Sequence, residues 1–214
     1  MGNKKGIGCG GAIVVLILIG VFISIVSNIG KGAREAQESV AASSTASVKD
    51  PYEDIINEIS PACRKIGISP SKISGMTKID NWDSGEQYRF SYDGISFNAC
   101  MNEDGTVNSI NCGTNKMYAD GEALISYMNG FLVRSDGGTV ENGVCEANGI
   151  VMNLTGVDCS YVEVDVGYYD KNGVKVTSGI DNVMNLKNGE QWRFKAYGFG
   201  DGITNYKIQD ITWY

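Results

Sequence analysis

Histidine is absent from all 214 residues, and that omission removes most familiar catalytic systems. Ser-His-Asp and Cys-His nucleophiles need an imidazole to take a proton near neutral pH, and histidine metal sites need it as a ligand. Serine with lysine, paired carboxylates, thiols and aromatic surfaces remain. Ser69-Pro70-Ser71-Lys72 has the S-x-x-K spacing of serine acyl-transfer chemistry, but the S-D-N and K-T-G companions are missing. Ser69 ahead of Pro70 is ordinary helix-start chemistry. Asp80 and Asp83 flank Trp82, and Glu103 and Asp104 are adjacent. Glycoside hydrolysis holds its two carboxyls about 5–9 Å apart across a cleft, whereas these residues suit turns and caps.

The remaining chemistry is equally thin. Cys63, Cys100, Cys112, Cys145 and Cys159 include no CxxC pair from which a zinc site starts. A disulfide needs Cα atoms within about 7 Å. Cys100 and Cys112 lie at different heights on a hairpin tipped by Glu103-Asp104, and Cys145 and Cys159 fail the same test around Gly156. Cys63 with Cys100 or Cys112 stays open, and buried apolar thiols are the favoured reading. Asn102-Glu103-Asp104-Gly105-Thr106 lacks the alternating ligands of a calcium loop, and no glycine-rich phosphate loop follows a strand. No catalytic residue, metal or cofactor is expected. Trp82, Trp192, Trp213 and eleven tyrosines could form a stacking or protein-binding surface. Trp192 fits a core alternation, so Trp82, in a turn-like stretch, is the candidate binding residue. Asn153-Leu154-Thr155 is a glycosylation sequon.

The elements around these residues begin with an anchor. Ala12, Ile13, Val14, Val15, Leu16, Ile17, Leu18, Ile19, Val21, Phe22, Ile23, Ile25 and Val26 are interrupted only by Gly20 and Ser24. About 20 helical residues cross a hydrocarbon core of about 30 Å, and residues 10–29 have that length. Lys4 and Lys5 look like the front of a secretory signal, but the apolar run exceeds the roughly 7–15 residues of one. Ser27-Asn28-Ile29-Gly30 offers no small-x-small cleavage pattern, so an uncleaved transmembrane helix is expected. Lys4 and Lys5 nearly balance Lys31 and Arg34 in the positive-inside bias. A short tail, 1–9, inside the cell with the bulk exported is the simpler topology. Residues 1–34 hold four of the eighteen Lys and Arg and no Asp or Glu, which leaves 14 against 25, a net charge of −11, for the rest. Nucleic acid or an anionic lipid surface would require clustered cations instead.

Residues 30–49, rich in Ala and Ser, read as a flexible spacer. Asp50 and Pro51 then start a helix, with Glu53 and Asp54 at its positive end and Ile55, Ile56 and Ile59 on one face. Pro61 restarts or kinks it, Ala62, Cys63 and Ile66 continue the stripe, and Gly67 ends it. From Glu86 the period is two: Tyr88, Phe90 and Tyr92 alternate with polar residues, Asp93-Gly94 makes a hairpin, and strands follow over 95–101 and 106–110. Residues 50–118 thus form a small α+β module, one helix on an antiparallel meander. Residues 119–139 are too apolar for a free linker and form a packed connector. Residues 140–214 are all β: Val162, Val164, Val166 and Tyr168 share one face, as do Trp192, Phe194 and Ala196. Turns at Lys171-Asn172-Gly173 and Lys187-Asn188-Gly189 complete the pattern of an antiparallel sandwich.

This last third resembles the FxLYD domain, a bacterial and archaeal module of secreted or membrane-tethered proteins. The similarity lies in Asn148-Gly149-Ile150-Val151-Met152-Asn153, in Val162-Glu163-Val164 leading to Tyr169-Asp170-Lys171-Asn172-Gly173, and in residues 185–194. The signature itself reads Val166-Gly167-Tyr168-Tyr169-Asp170, with Val for the first Phe and Tyr for Leu. The resemblance implies an immunoglobulin-like sandwich in an extracytoplasmic setting, no known activity, and a bacterial source in which the sequon has no use. The expected fold is mainly β with an α+β module behind a single transmembrane helix. The expected function is a non-enzymatic cell-surface protein, held by membrane lipid, that recognises a protein or envelope polymer and binds no nucleic acid. The alternatives are an accessory or sensor subunit of a membrane complex, with Gly20 and Ser24 as a helix-packing pair, and a carboxylate-based envelope hydrolase.

Overall fold

The computed structural model describes residues 50–82 and 85–214, with the side chains of 80–82 left aside. The expected anchor, Ala12 to Val26, and the spacer lie outside the described residues. Among the described residues, no helix is long and apolar enough to cross a membrane.

Helix α1, Glu53–Lys65, opens where Asp50 Oδ1 accepts the Tyr52 N–H at 2.9 Å. Glu53 and Asp54 occupy its first turn and Arg64 and Lys65 its last, each sign matching the helix dipole. The helix runs through Pro61 without restarting, although the ring deprives the Asn57 carbonyl of its donor. Ile59, Ala62 and Cys63 are buried along one face, and Ile66 follows them just past the end. Gly67 has φ +82°, and a Cβ there would collide with the Tyr127 carbonyl oxygen. Glycine is therefore needed twice over, for the left-handed backbone and for the close approach.

The helix packs on a six-stranded antiparallel meander, β1 to β6 in order. Its strands are β1 Ser74–Trp82, β2 Gly85–Tyr92, β3 Ile95–Asn102, β4 Val107–Cys112, β5 Asn115–Ala119 and β6 Glu122–Ala123. Asp93 (φ 49°) and Gly94 (φ 77°) both sit in the left-handed region, as a two-residue hairpin turn requires. The alternation from Tyr88 to Tyr92 buries three aromatics, and Phe90 stacks on Phe97 with ring centroids 5.5 Å apart. Strand β1 corrects the expectation that strands begin at Glu86 and that Trp82 sits in a turn: Trp82 ends β1, paired with Gly85. Two register shifts break the alternation of β1, only Met76 among its described side chains is buried, and Ile79 faces solvent, so no period-two signal survives.

Residues 119–139 form β6, β7 (Ser126–Met128) and most of β8 (Phe131–Glu141). Beyond them run β9 Val144–Asn153, β10 Cys159–Asp170, β11 Lys175–Leu186, β12 Gln191–Phe199 and β13 Ile203–Trp213. They make two antiparallel sheets, β12-β9-β8-β7 and β11-β10-β13. A second core lies between these sheets, with Phe131, Val151, Val162, Val164, Val166, Tyr168 and Phe194 fully enclosed. Tyr168 ties them together: its hydroxyl donates to the Ala196 carbonyl at 2.8 Å, and burial pushes the phenol pKa up.

The two lobes share residues. Leu132 and Tyr127 belong to the first core, Met152, Leu154 and Ile125 pack against it, and Phe131 and Val133 belong to the second. Tyr127 N–H donates to the Ile66 carbonyl at 2.7 Å, locking β7 to the end of α1. The described residues accordingly belong to one compact unit. Cys63, Cys100, Cys112, Cys145 and Cys159 are all buried free thiols, so no bridge joins Cys63 to Cys100 or Cys112. Burial pushes the Cys63 thiol up to about 12.

Candidate functional site

Among the described residues, those that the sequence singled out do not converge. Ser69 precedes a short 3-10 turn, Pro70–Lys72, where its hydroxyl meets that of Ser71 at 3.1 Å. Asp104 Oδ1 accepts from the Thr106 N–H at 2.9 Å and the Thr106 hydroxyl at 2.6 Å, and these bonds hold its carboxyl below the usual range. That is turn duty. The Asp80, Trp82 and Asp83 side chains lie outside the described residues. Trp192 packs against the second core as expected, and Trp213 meets Phe131 edge-on at 6.3 Å. Among the described residues no group of three or more Cys, Asp or Glu could hold a metal ion.

Asn153 of the sequon is completely buried. Its Nδ2 donates to the carbonyls of Val157 at 2.9 Å and Leu186 at 3.1 Å, while Oδ1 accepts from the Thr155 N–H at 2.9 Å and hydroxyl at 2.8 Å. The Asn-x-Thr spacing builds the β9–β10 loop rather than an acceptor for a glycan.

A groove of about 430 Å³ runs between α1 and the β3–β4 turn, lined by Ile55, Glu58, Glu86, Met101 and Glu103. Glu86 is held below the usual carboxylate range by hydrogen bonds from Lys78 and from the Tyr88 hydroxyl. Asp136, Glu146 and Asp170 are lowered as well, by Arg134 and Arg193, by Lys195, and by backbone N–H groups respectively. A general acid needs a shift in the opposite direction.

The most ligand-like surface was not visible in any motif. A cleft of about 580 Å³ opens where β6 and β7 meet β8 and β13. Leu124, Met128, Val133 and Ile208 supply apolar surface, and Ser135 and Tyr206 share a hydroxyl–hydroxyl bond of 2.6 Å across it. Lys207 carries the one charge among the lining residues, its ammonium 5.6 Å from the Tyr169 ring centroid. The size falls in the range of binding clefts, and the lining mixes apolar side chains with about as many polar ones. The opposite side of the sandwich is tied shut: Asp181 on β11 accepts the Lys195 N–H of β12 at 2.7 Å. In the sequence the only hint was the apolar character of Leu124, Met128 and Val133. Their partners Tyr206 and Ile208 lie some seventy residues later.

No family model matches the chain, and no curated protein matches it. Among solved structures, a DUF1425 family member from Shewanella sp. pv-4 is similar at 12% sequence identity and a TM-score of 0.31, over 66% of this chain and 95% of that one. Similarity at that level adds nothing to the reading of the site.

Proposed function

We propose that the chain is a non-enzymatic binding protein, tethered to the membrane by residues 10–29 and displayed outside the cell, whose inter-lobe cleft engages a protein or envelope polymer. The apolar run from Ala12 to Val26 and the spacer behind it support the tether. The FxLYD-like residues support the setting. So does the strand order, with β12, β9 and β8 facing β11, β10 and β13, because immunoglobulin-like sandwiches cross between sheets in this way. The observation that carries the reading is the cleft itself, where Leu124, Met128, Val133 and Ile208 lie beside Ser126, Asn205, Lys207 and the Ser135–Tyr206 hydroxyl pair. A carboxylate hydrolase fits less well, since Glu86 in the acidic groove is stabilised as an anion.

A photo-crosslinking residue placed at Leu124 in the full-length protein, in its native membrane, tests this. Leu124 is 48% exposed at the cleft rim, and Val157, 52% exposed outside the cleft lining, is the control. The expected result is a discrete adduct from position 124 and none from 157. Equal labelling from both, or none from 124, would count against the cleft.

A further inference from the structure

The walls of the cleft restrict the shape of what enters it. One wall is β13, which pairs with β10 through Tyr168–Tyr206, Gly167–Lys207 and Val166–Ile208. The Tyr206 N–H points away from β10, since Asn205 Oδ1 accepts it at 2.8 Å. Main-chain groups alternate sides along a strand, so those of Ile208 point away from β10 too, into the cleft. Beyond a bulge, Ile211 is closed off: its N–H goes to Asp210 Oδ1 at 2.9 Å, and its carbonyl accepts from Asn129 Nδ2 at 3.1 Å. Side chains thus blunt this edge at Tyr206 and at Ile211, a common defence against strand pairing. Between those two points the edge is open, beside Met128, Val133 and Leu124. Lys207 lies between Tyr206 and Ile208 on the outer face of β13, its ammonium beside the Tyr169 ring, a cation in a stretch, 119–214, with seven Lys and Arg against thirteen Asp and Glu.

Resting on the binding role above, we propose that the cleft takes a short extended segment of a partner polypeptide as an added strand. The segment pairs with the Ile208 main chain, lays alternate apolar side chains on Met128 and Val133, and with its outward-facing side chains sets a carboxylate against Lys207. From Tyr206 to Ile211 the strand spans about 16 Å at roughly 3.3 Å per residue, which limits the segment to about 3–5 residues. Main-chain bonds supply affinity in such an arrangement, and alternate side chains supply selectivity. The Lys207 cation beside this edge favours an acidic segment over a basic one.

The test uses the full-length chain in neutral detergent, with capped pentapeptides of alternating Val and Thr carrying one Glu, their Lys counterparts, and dodecanoate as probes. Hydrogen exchange is read at the Ile208 amide. The acidic peptide is expected to slow exchange there at least tenfold. Lys207→Glu weakens it about fivefold, the upper range for an exposed ion pair, and the Lys peptide then becomes the better ligand. Leu124→Arg blocks both. Unchanged exchange at Ile208 with every peptide at millimolar concentration overturns strand addition, as does protection by dodecanoate alone. If Leu124 crosslinks in the membrane while the peptides fail, the binding role stands without the strand; if neither occurs, the role itself falls.

Discussion

Replacing Asn153 by alanine should cost about 3 kcal/mol of folding stability, although the residue touches no site. The side chain is fully buried; its amide donates to two carbonyls and to Cys159 Sγ, and its oxygen accepts two bonds from Thr155. Alanine leaves the Leu186 carbonyl short of a buried donor, a penalty of about 1–3 kcal/mol. It also removes the acceptor of the Thr155 N–H, worth roughly 0.5–1.5 kcal/mol. The Val157 carbonyl suffers less, because the Thr155 hydroxyl also reaches it at 3.1 Å. Against a typical total of about 5–15 kcal/mol, that loss is large enough to move the urea midpoint well outside error. The assay is equilibrium urea unfolding of the full chain by tryptophan fluorescence, with Asn153→Ala, Thr155→Val and the double variant. Because both residues serve one loop, the two losses should fall short of additive by more than about 0.5 kcal/mol. A single-variant loss under about 1 kcal/mol, or strict additivity, would refute the claim that this sequon is a buried loop-builder.

Other outcomes follow from the same geometry. Tyr168→Phe leaves the Ala196 carbonyl without the phenol donor at 2.8 Å and should cost about 1–2 kcal/mol, measured as a fall in the urea midpoint. Gly67→Ala forces both a left-handed alanine and a collision with the Tyr127 carbonyl; expect a loss above about 2 kcal/mol, with one shared transition for both lobes. On acidification, Glu86, Asp104, Asp136, Glu146 and Asp170 all have folded-state pKa values below their unfolded ones. Their contributions are complete above about pH 5 and vanish as pH falls through the depressed values, so the urea midpoint should drop steadily below about pH 5; a rise over that interval contradicts the assignment. The five buried thiols should resist a polar maleimide in the native protein and react in urea, as read by mass spectrometry.

Where one face of a segment meets one core, the pattern was readable in advance. Val162, Val164, Val166 and Tyr168 alternate because β10 is central to its sheet and only its inner face is buried. Asp93-Gly94 marks its hairpin because the turn demands two left-handed residues. The signal fails where that condition fails. Strand β1 is an edge strand with two register shifts. Leu132 and Val133 are neighbours that face different cores, so the stretch looked like a connector rather than a strand. The roles of Asn153 and Thr155 could not be separated from a glycosylation signal, since both readings use the same three residues. The cleft was invisible for a different reason: it is made by juxtaposing β7 and β8 with β13, and no local spacing encodes that.

That juxtaposition also explains why the cleft keeps its shape without a ligand. Its residues lie on strands whose other faces are committed: Val133 is built into the second core, while Leu132 beside it is built into the first. Tyr127, one residue before Met128, is held through its N–H to Ile66 and buried among the aromatics of the meander. Moving β7 to close the opening would pull Tyr127 and Leu132 out of the first core, at roughly 1.5–3 kcal/mol for each large side chain exposed. Closing it from the other side would draw β13 away from β10 and break the Asn129 bridges to Asp210 and Ile211. The opening is thus a consequence of two cores sharing one strand pair, and collapse costs more than leaving a half-buried apolar floor in contact with water. An opening held apart in this way gives a partner a preorganised surface, so binding need not spend free energy on ordering it.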